Sequence, residues 1–176
     1  WLWRVWRVRR MSTASRTVPA LGDVGIGWRR EIAGVIADLR PGFCEVIAES
    51  IPIRRRRARL DPALAELVAR GVPVIPHGVA LSLGGTEPVQ SRRIRRLAAC
   101  ATALKAPVVS EHIAFVRAGG IEAGHLLPVP RTREALDVLA ANIARTRSEL
   151  AVPLAVENIA SFVEWPESDL TESEFL

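Results

Sequence analysis

The stretch VPVIPHGVALSLGG, residues 72–85, places a histidine, His77, directly after a short apolar run. Short apolar and β-branched runs bounded by proline and glycine are typical of buried strands. A histidine at the end of such a strand is either a packed core residue or a metal ligand. The choice between the two depends on what the other strands carry at the same point.

The rest of the chain alternates short apolar runs with segments of helical period, which is the pattern of βα units around a parallel sheet. The predicted strands are 23–27, 43–49, 72–76, 106–112 and 152–158. The predicted helices are 28–40, 62–71, 87–105, 131–150 and the start of a fifth within 168–176. Asp61, followed by Pro62, is the predicted N-cap of the second helix, and Thr132 is that of the fourth. No G-x-G-x-x-G follows the first predicted strand and no G-x-x-x-x-G-K-[ST] occurs, so both glycine-rich phosphate-binding motifs of nucleotide-binding open sheets are missing from the sequence. An α/β (β/α)8 TIM-type barrel is therefore favoured over an open doubly wound sheet.

The basic charge of the chain is concentrated at its start. The net charge is +5, with 24 basic and 19 acidic residues, but residues 1–10 hold four arginines and no acid, so the remainder carries 20 against 19, or +1. We therefore expect no nucleic-acid partner. Arginine interrupts the apolar residues of this segment, which argues against a secretory signal. A short membrane-surface helix is the alternative for these ten residues.

Several expectations about organisation follow. No run reaches the roughly 18 apolar residues of a membrane span, and Cys44 and Cys100 are too few for a disulfide framework. We expect a cytoplasmic protein without a membrane partner, in which both cysteines are small core residues. Residues 1–10 are interpreted as a non-native upstream extension, 11–22 as a flexible N-terminus and 23–176 as a partial barrel domain.

Four predicted strands carry possible metal ligands at their carboxyl ends. These residues are Glu49, His77, Glu111, His112, Glu157 and Asn158. In a barrel of parallel strands these ends converge on one face, where active sites lie. Each residue alone also suits a structural role, but their recurrence in successive units favours a metal site. Imidazole and carboxylate donors without cysteine suit iron, manganese or zinc.

Three loop features carry weaker signals. His125 lies in a predicted loop, where a surface role is favoured over a ligand role. The run RRRRAR, 54–59, predicts a solvated loop, with a patch that steers an acidic peptide as the alternative. The segment LSLGG, 81–85, predicts a turn, with an anion-binding nest as the alternative.

Four segments, in order and spacing, carry a family resemblance: HGVALSLGG, VVSEHIAF, HLLPVPRTREAL and PLAVENIASF. They resemble the multinuclear non-haem iron-dependent oxidative enzymes, formerly a domain of unknown function, which include methanobactin-forming and bufferin-maturing enzymes. The resemblance spans residues 24–176. It implies a barrel with two or three iron ions, dioxygen-dependent oxidation of a cysteine in a ribosomally made precursor peptide, and a partner protein that binds the peptide leader.

The resemblance also implies site residues. The metal ligands fall on His77, His112, Glu157, Asn158 and Glu49, and no catalytic residue is separable from them. The candidate substrate contacts are Ser82, Glu111 and Arg131.

The chain departs from the family pattern at two positions and in length. Arg131 stands where the family commonly has an aromatic residue, and Phe162 replaces an aromatic hydroxyl. A whole barrel needs about 250 residues, so we expect a fragment with the first five βα units, an exposed fifth strand and no activity of its own. A zinc or manganese barrel hydrolase or isomerase of the sugar-isomerase or endonuclease type stays open, as does a non-catalytic remnant.

Overall fold

A computed structural model of the chain describes residues 21–22, 24–161 and 163–176. The predicted extension 1–10 and nearly all of the predicted flexible N-terminus 11–22 lie outside the described residues, as do Asp23 and Phe162.

The described residues form nine strands, five α-helices and two short 3-10 helices. The strands are β1 (Gly25–Gly27), β2 (Phe43–Ile47), β3 (Ile53–Arg54), β4 (Arg57–Ala58), β5 (Val74–Gly78), β6 (Val109–Ile113), β7 (Phe115–Ala118), β8 (Ile121–Leu127) and β9 (Leu154–Asn158). The helices are α1 (Ala33–Leu39), α2 (Pro62–Ala69), α3 (Ser91–Leu104), α4 (Arg133–Glu149) and α5 (Glu172–Phe175), and the 3-10 helices are Arg30–Ile32 and Ala48–Ser50.

The centre of the fold is a five-stranded parallel sheet in the order β1-β2-β5-β6-β9. Each strand therefore pairs with the strand of the next βα unit along the chain. A doubly wound sheet would instead reverse its strand order at a switch point. The predicted α/β fold with five parallel strands is confirmed, and the unreversed order is the one that barrels use.

Two helix starts confirm predicted caps. The Asp61 side chain accepts a hydrogen bond from the Ala63 amide, with Pro62 in the first turn of α2. Thr132 accepts one from the Ala135 amide at the start of α4. Both caps satisfy amides that have no partner within the helix.

The structure differs from the predicted elements in two loops that contain antiparallel hairpins, β3–β4 and β7–β8. The first was missed because four consecutive arginines give no apolar alternation. The second turns at Gly119-Gly120, but β8 is mostly exposed and its sequence does not alternate. Helix α3 begins at Ser91 rather than at residue 87. Pro88 disfavours helical backbone at residue 87, and Gln90 is extended, with φ −72° and ψ 123°.

The core lies between the sheet and its helices. Helix α3 buries an apolar stripe and packs against β5 and α4. Cys44 and Cys100 are fully buried in this core. Burial raises the pKa of both thiols to about 11, so both stay protonated and act as small core residues, as predicted. No helix in the described part of the chain is both long and apolar enough to cross a bilayer.

A buried amide on α4 fixes the loop that connects β5 to α3. Asn142 is 5% exposed, and its Nδ2 donates to the carbonyls of Leu83 (3.0 Å) and Gly85 (2.9 Å). Its Oδ1 accepts from the Val89 amide at 3.2 Å. One side chain thus satisfies three backbone groups of a buried loop, which otherwise would lack partners.

We expect Asn142→Leu to speed hydrogen exchange of the Val89 amide about tenfold, because the amide loses its acceptor while the site stays buried. Mass spectrometry of a peptide covering residues 86–91 measures this. Thr146→Val is the matched control, since Thr146 is equally buried and donates only to the Asn142 carbonyl in its own helix. Equal exchange in Asn142→Leu and the unchanged chain would show that the loop does not depend on this amide.

Candidate metal centre

One face of the parallel sheet carries polar side chains from four adjacent strands. The register pairs Ile47 with His77, His77 with Ser110, and His112 with Glu157. Since alternate residues of a strand share a face, one face holds Glu45, His77, Ser110, His112 and Glu157. This face is only partly covered in β2, where Glu45 is half-buried while Cys44 and Val46 on the opposite face are fully buried.

Three of these side chains converge. One donor atom from each of His77, His112 and Glu157 lies within 4.8 Å of the other two. Oε2 of Glu157 is 3.9 Å from Nε2 of His77 and 3.7 Å from Nε2 of His112. The imidazole rings meet edge to face, with centroids 4.4 Å apart and an interplanar angle of 73°. Two imidazoles and a carboxylate form a donor set that suits zinc or non-haem iron.

Both histidines are held neutral. Burial lowers the pKa of His77 to about 4. Burial also lowers the pKa of His112 to about 4, and the neighbouring His77 adds to this, while the Gly78 backbone and Glu45 oppose it. A neutral imidazole keeps the lone pair that a metal ion needs. The residues present therefore fit a cation, because neither histidine has to release a proton near neutral pH to bind it.

A hydrogen-bond relay behind His77 orients its ring. Nδ1 of His77 lies 2.9 Å from Oγ of Ser110, and that hydroxyl donates to Oε1 of Glu45 at 3.1 Å. Because the hydroxyl has a single proton and donates it to Glu45, it accepts from the Nδ1–H of His77. His77 is then the tautomer whose Nε2 lone pair faces Glu157.

Glu45 and Ser110 were missed by the sequence analysis. Burial raises the pKa of Glu45, and Ser110, His112 and Arg29 oppose this. The available signal was a charged residue in the middle of the apolar strand FCEVI, and a serine two residues before His112 on the same strand face. Both residues lie beside a candidate ligand rather than at the end of a strand, so the pattern of strand-end residues does not include them.

Glu111 lies on the opposite face of the sheet, paired with Gly78. It is 1% exposed, and its carboxylate accepts from the amides of Leu81 (3.0 Å) and His112 (2.8 Å). Burial raises its pKa to about 7. A Cβ on Gly78 would lie 2.7 Å from Oε2 of Glu111, so the glycine after His77 is needed for this contact. A substrate contact by Glu111 stays a prediction.

Two further predicted ligands lie outside the three-residue cluster. Glu49 is in the 3-10 helix Ala48–Ser50, where Oε2 accepts from the Val79 amide at 3.2 Å. Burial raises its pKa. Asn158 pairs with Ile113, which places it on the face opposite Glu157, and its amide donates to Glu172. Metal coordination by Glu49 and Asn158 stays a prediction.

Ser82 has a structural role in the described chain. It is 2% exposed, has a φ of 64°, and its Oγ accepts from the Val116 amide at 3.0 Å. The amides of Gly84 and Gly85 donate to the carbonyls of Ala114 and Ser82, both at 3.0 Å. These two amides are therefore engaged within the turn rather than presented to an anion.

Arg131 and His125 also lie away from the cluster. The Arg131 guanidinium donates to Glu164 and to the Leu170 carbonyl, and so holds the segment that leads to α5. His125 is exposed on β8, where its Nδ1 accepts from the amide of Leu126 at 2.8 Å. Substrate contacts by Ser82 and Arg131 stay predictions.

Comparisons with known proteins point to one family. Residues 23–176 match the family described as RiPP precursor modification enzyme MbnB/TglH/ChrH. A UPF0276 protein of Streptomyces avermitilis is 50% identical over 170 residues, covering 92% of this chain and 34% of the relative. UPF0276 proteins of Anaeromyxobacter sp. (37% identical; 65% of this chain, 40% of the relative) and Rhizorhabdus wittichii (34%; 86% and 55%) are also similar. The chain thus spans about a third to about half of the length of these relatives.

We expect His77→Ala and His112→Ala each to weaken binding of Co²⁺ by more than about 100-fold, which is beyond the usual effect of removing an outer hydrogen bond to a ligand. Anaerobic calorimetry and the visible absorption of Co²⁺ measure this. His125→Ala is the matched control, because it removes an exposed histidine outside the cluster. Unchanged Co²⁺ affinity in the His77 and His112 variants would refute the site.

We expect Ser110→Ala to weaken the same binding by about 10- to 100-fold, because the ring of His77 loses the group that fixes its tautomer. Ser148→Ala, which removes an exposed hydroxyl on α4, should leave the affinity unchanged. A Ser110 variant that binds Co²⁺ as tightly as the unchanged chain would exclude the relay.

Proposed function

This chain belongs to the family of RiPP precursor modification enzymes MbnB/TglH/ChrH, and we propose on that premise that the complete protein oxidises cysteine residues of a ribosomally made precursor peptide, using iron and dioxygen. The observation that carries the proposal is the convergence of His77, His112 and Glu157, whose donor atoms lie within 4.8 Å of one another. These side chains lie at the second-to-last position of three adjacent parallel strands, β5, β6 and β9.

The proposal includes a closed (β/α)8 barrel around this site. The unreversed order of five parallel strands supports it, and so does the position of the three candidate ligands towards the carboxyl ends of their strands, where barrel enzymes place their chemistry. In such a barrel, further strands continue from β9, cover the half-buried face and add ligands to the three described here.

The donor set supports iron within this family. Two histidines and a carboxylate that leave positions open are the ligands of non-haem iron oxygenases. When bound, iron supplies the electron transfer to dioxygen that no protein side chain provides. We propose two or three iron ions in the complete protein, of which His77, His112 and Glu157 hold one.

The described residues prepare this site for a cation. His77 and His112 are neutral near pH 7, since burial lowers the pKa of each to about 4. Ser110 and Glu45 hold the remaining proton of His77 on Nδ1. Glu157 supplies negative charge next to both Nε2 atoms, which offsets the charge of a divalent ion.

Neither cysteine of this chain suits the role of the thiol that reacts. Cys44 and Cys100 are fully buried, and burial raises the pKa of each to about 11. A thiol binds a metal ion and reacts as the thiolate, so these two cysteines are protected. We propose a cysteine-containing precursor peptide as the substrate and a leader-binding protein as the partner.

The test is a titration of the Fe²⁺-loaded complete protein with a cysteine-containing peptide under anaerobic conditions. A small amount of dioxygen is then added, and the visible spectrum is recorded. We expect a visible sulfur-to-iron charge-transfer band with this peptide and none with its serine counterpart, because only the thiolate donates to the metal. His125→Ala should keep the band and His112→Ala should lose it.

A zinc or manganese enzyme gives a different result. If the protein isolated with its native metal contains zinc, stays colourless with the cysteine peptide and treats the serine peptide alike, the iron proposal fails. The same two histidines and carboxylate would then serve a metal-activated water, which is the alternative chemistry of this donor set.

A further inference from the structure

The β3–β4 hairpin presents a concentrated positive charge. Its exposed arginines are Arg54, Arg55, Arg56, Arg57 and Arg59. Within the described residues, none of these five side chains forms an ion pair, whereas Arg30, Arg93, Arg117, Arg131 and Arg145 do. Five like charges without partners repel one another, so this arrangement does not serve the stability of the chain.

The turn of the hairpin is built from unfavourable residues. Arg54 pairs with Arg57, which leaves Arg55 and Arg56 as a two-residue turn with φ values of 49° and 63°. A two-residue turn with both φ values positive is of type I′ and strongly favours Asn-Gly. Arginine carries a Cβ that disfavours this backbone. Strained residues of this kind concentrate at functional sites.

The base of the hairpin is fixed beside the candidate metal centre. Ile47, the last residue of β2, pairs with His77. The chain then forms the 3-10 helix that contains Glu49, whose carboxylate accepts from the amide of Val79. Nη2 of Arg96 donates to the carbonyls of Glu49 (2.9 Å) and Ile51 (2.7 Å). The hairpin therefore follows the carboxyl-terminal end of β2, next to the end of β5 that carries His77.

Helix α3, which contacts β4 of the hairpin, carries further arginines. Residues three and four apart share a helix face, so Arg92 lies beside Arg95 and Arg96. Arg92 and Arg95 are exposed, and Arg92 donates only to the side chain of Gln90 among the described residues. We call the five hairpin arginines together with Arg92 and Arg95 the arginine patch.

We propose that the arginine patch binds an acidic segment of the precursor peptide, which rests on the proposed function of the neighbouring site. Guanidinium groups pair with carboxylates through two parallel hydrogen bonds. The seven guanidinium groups of the patch form no ion pair within the described part of the chain, and they are complementary to consecutive acidic residues. A second copy of the chain is a less favourable partner, because pairing two arginine patches would bring like charges together. Outside residues 1–10 the chain carries only +1, so the charge is local, unlike the broad basic surface of a nucleic-acid-binding protein.

The test measures binding of a fluorescein-labelled peptide of six Glu-Ala repeats by fluorescence anisotropy, with a Gln-Ala peptide of equal length for comparison. We expect the Glu peptide to bind and its affinity to rise as the salt concentration falls, because exposed charges are screened. The Gln peptide should not bind. Every variant keeps residues 1–10, so their arginines contribute equally throughout.

The deciding variant is Arg55→Asn combined with Arg56→Gly, which installs the favoured turn residues while it removes two charges. We expect the fold to be retained and the affinity for the Glu peptide to fall about three- to tenfold. Arg133→Gln with Arg147→Gln removes the same charge from exposed positions of α4 and should change the affinity less than about twofold. Arg57→Gln with Arg59→Gln tests the hairpin without altering its turn.

Three outcomes overturn the proposal. Equal losses in the hairpin and α4 variants would indicate non-specific attraction. Equal binding of the Gln peptide would exclude recognition of carboxylates. Tighter binding of a twelve-residue oligothymidylate, lost in the hairpin variant, would assign the patch to nucleic acid. Co²⁺ binding by the same variants separates the two proposals. If the arginine patch does not bind the Glu peptide, Co²⁺ binding at His77 and His112 is unaffected. If the iron–thiolate band is not seen, binding of the Glu peptide is unaffected.

Discussion

The pairing register of three parallel strands is the constraint on which the candidate site depends. Because β5, β6 and β9 pair as they do, His112 lies opposite Glu157 and His77 lies opposite Ser110. A slip of one residue in any of these strands would move its polar side chain to the helix-facing side of the sheet. There it would displace apolar residues and lose its partners, which is costly for a buried polar group.

The opposite face of the same strands holds that register in place. Glu111 is buried there, and its carboxylate accepts the amides of Leu81 and His112. This contact requires the missing side chain of Gly78, and Asn142 fixes the following loop from α4. The motif around His77 therefore has two functions in one segment, since the histidine faces the candidate centre while the glycine and loop secure the strand from behind.

The sequence was sufficient for the parts of the structure that repeat. Five parallel strands follow from periodicity, and the caps Asp61 and Thr132 follow from residue types before helices. The convergence of His77, His112 and Glu157 follows from residue types at strand ends. The roles of Glu45 and Ser110 beside His77 could not be predicted in this way, because their hydrogen bond joins residues 65 apart in the chain and depends on the register of the strands. The two hairpins escaped prediction because exposed strands need no apolar alternation, and Asn158 shows that adjacent strand-end residues face opposite sides.

Anomalous diffraction at the iron edge from crystals grown with Fe²⁺ under anaerobic conditions tests the central claim most directly. A metal site built by this register predicts a peak at coordination distance, about 2.0–2.2 Å, from an imidazole nitrogen of His77, an imidazole nitrogen of His112 and a carboxylate oxygen of Glu157. A fully occupied peak that contacts none of these three residues, or contacts only one of them, would contradict it.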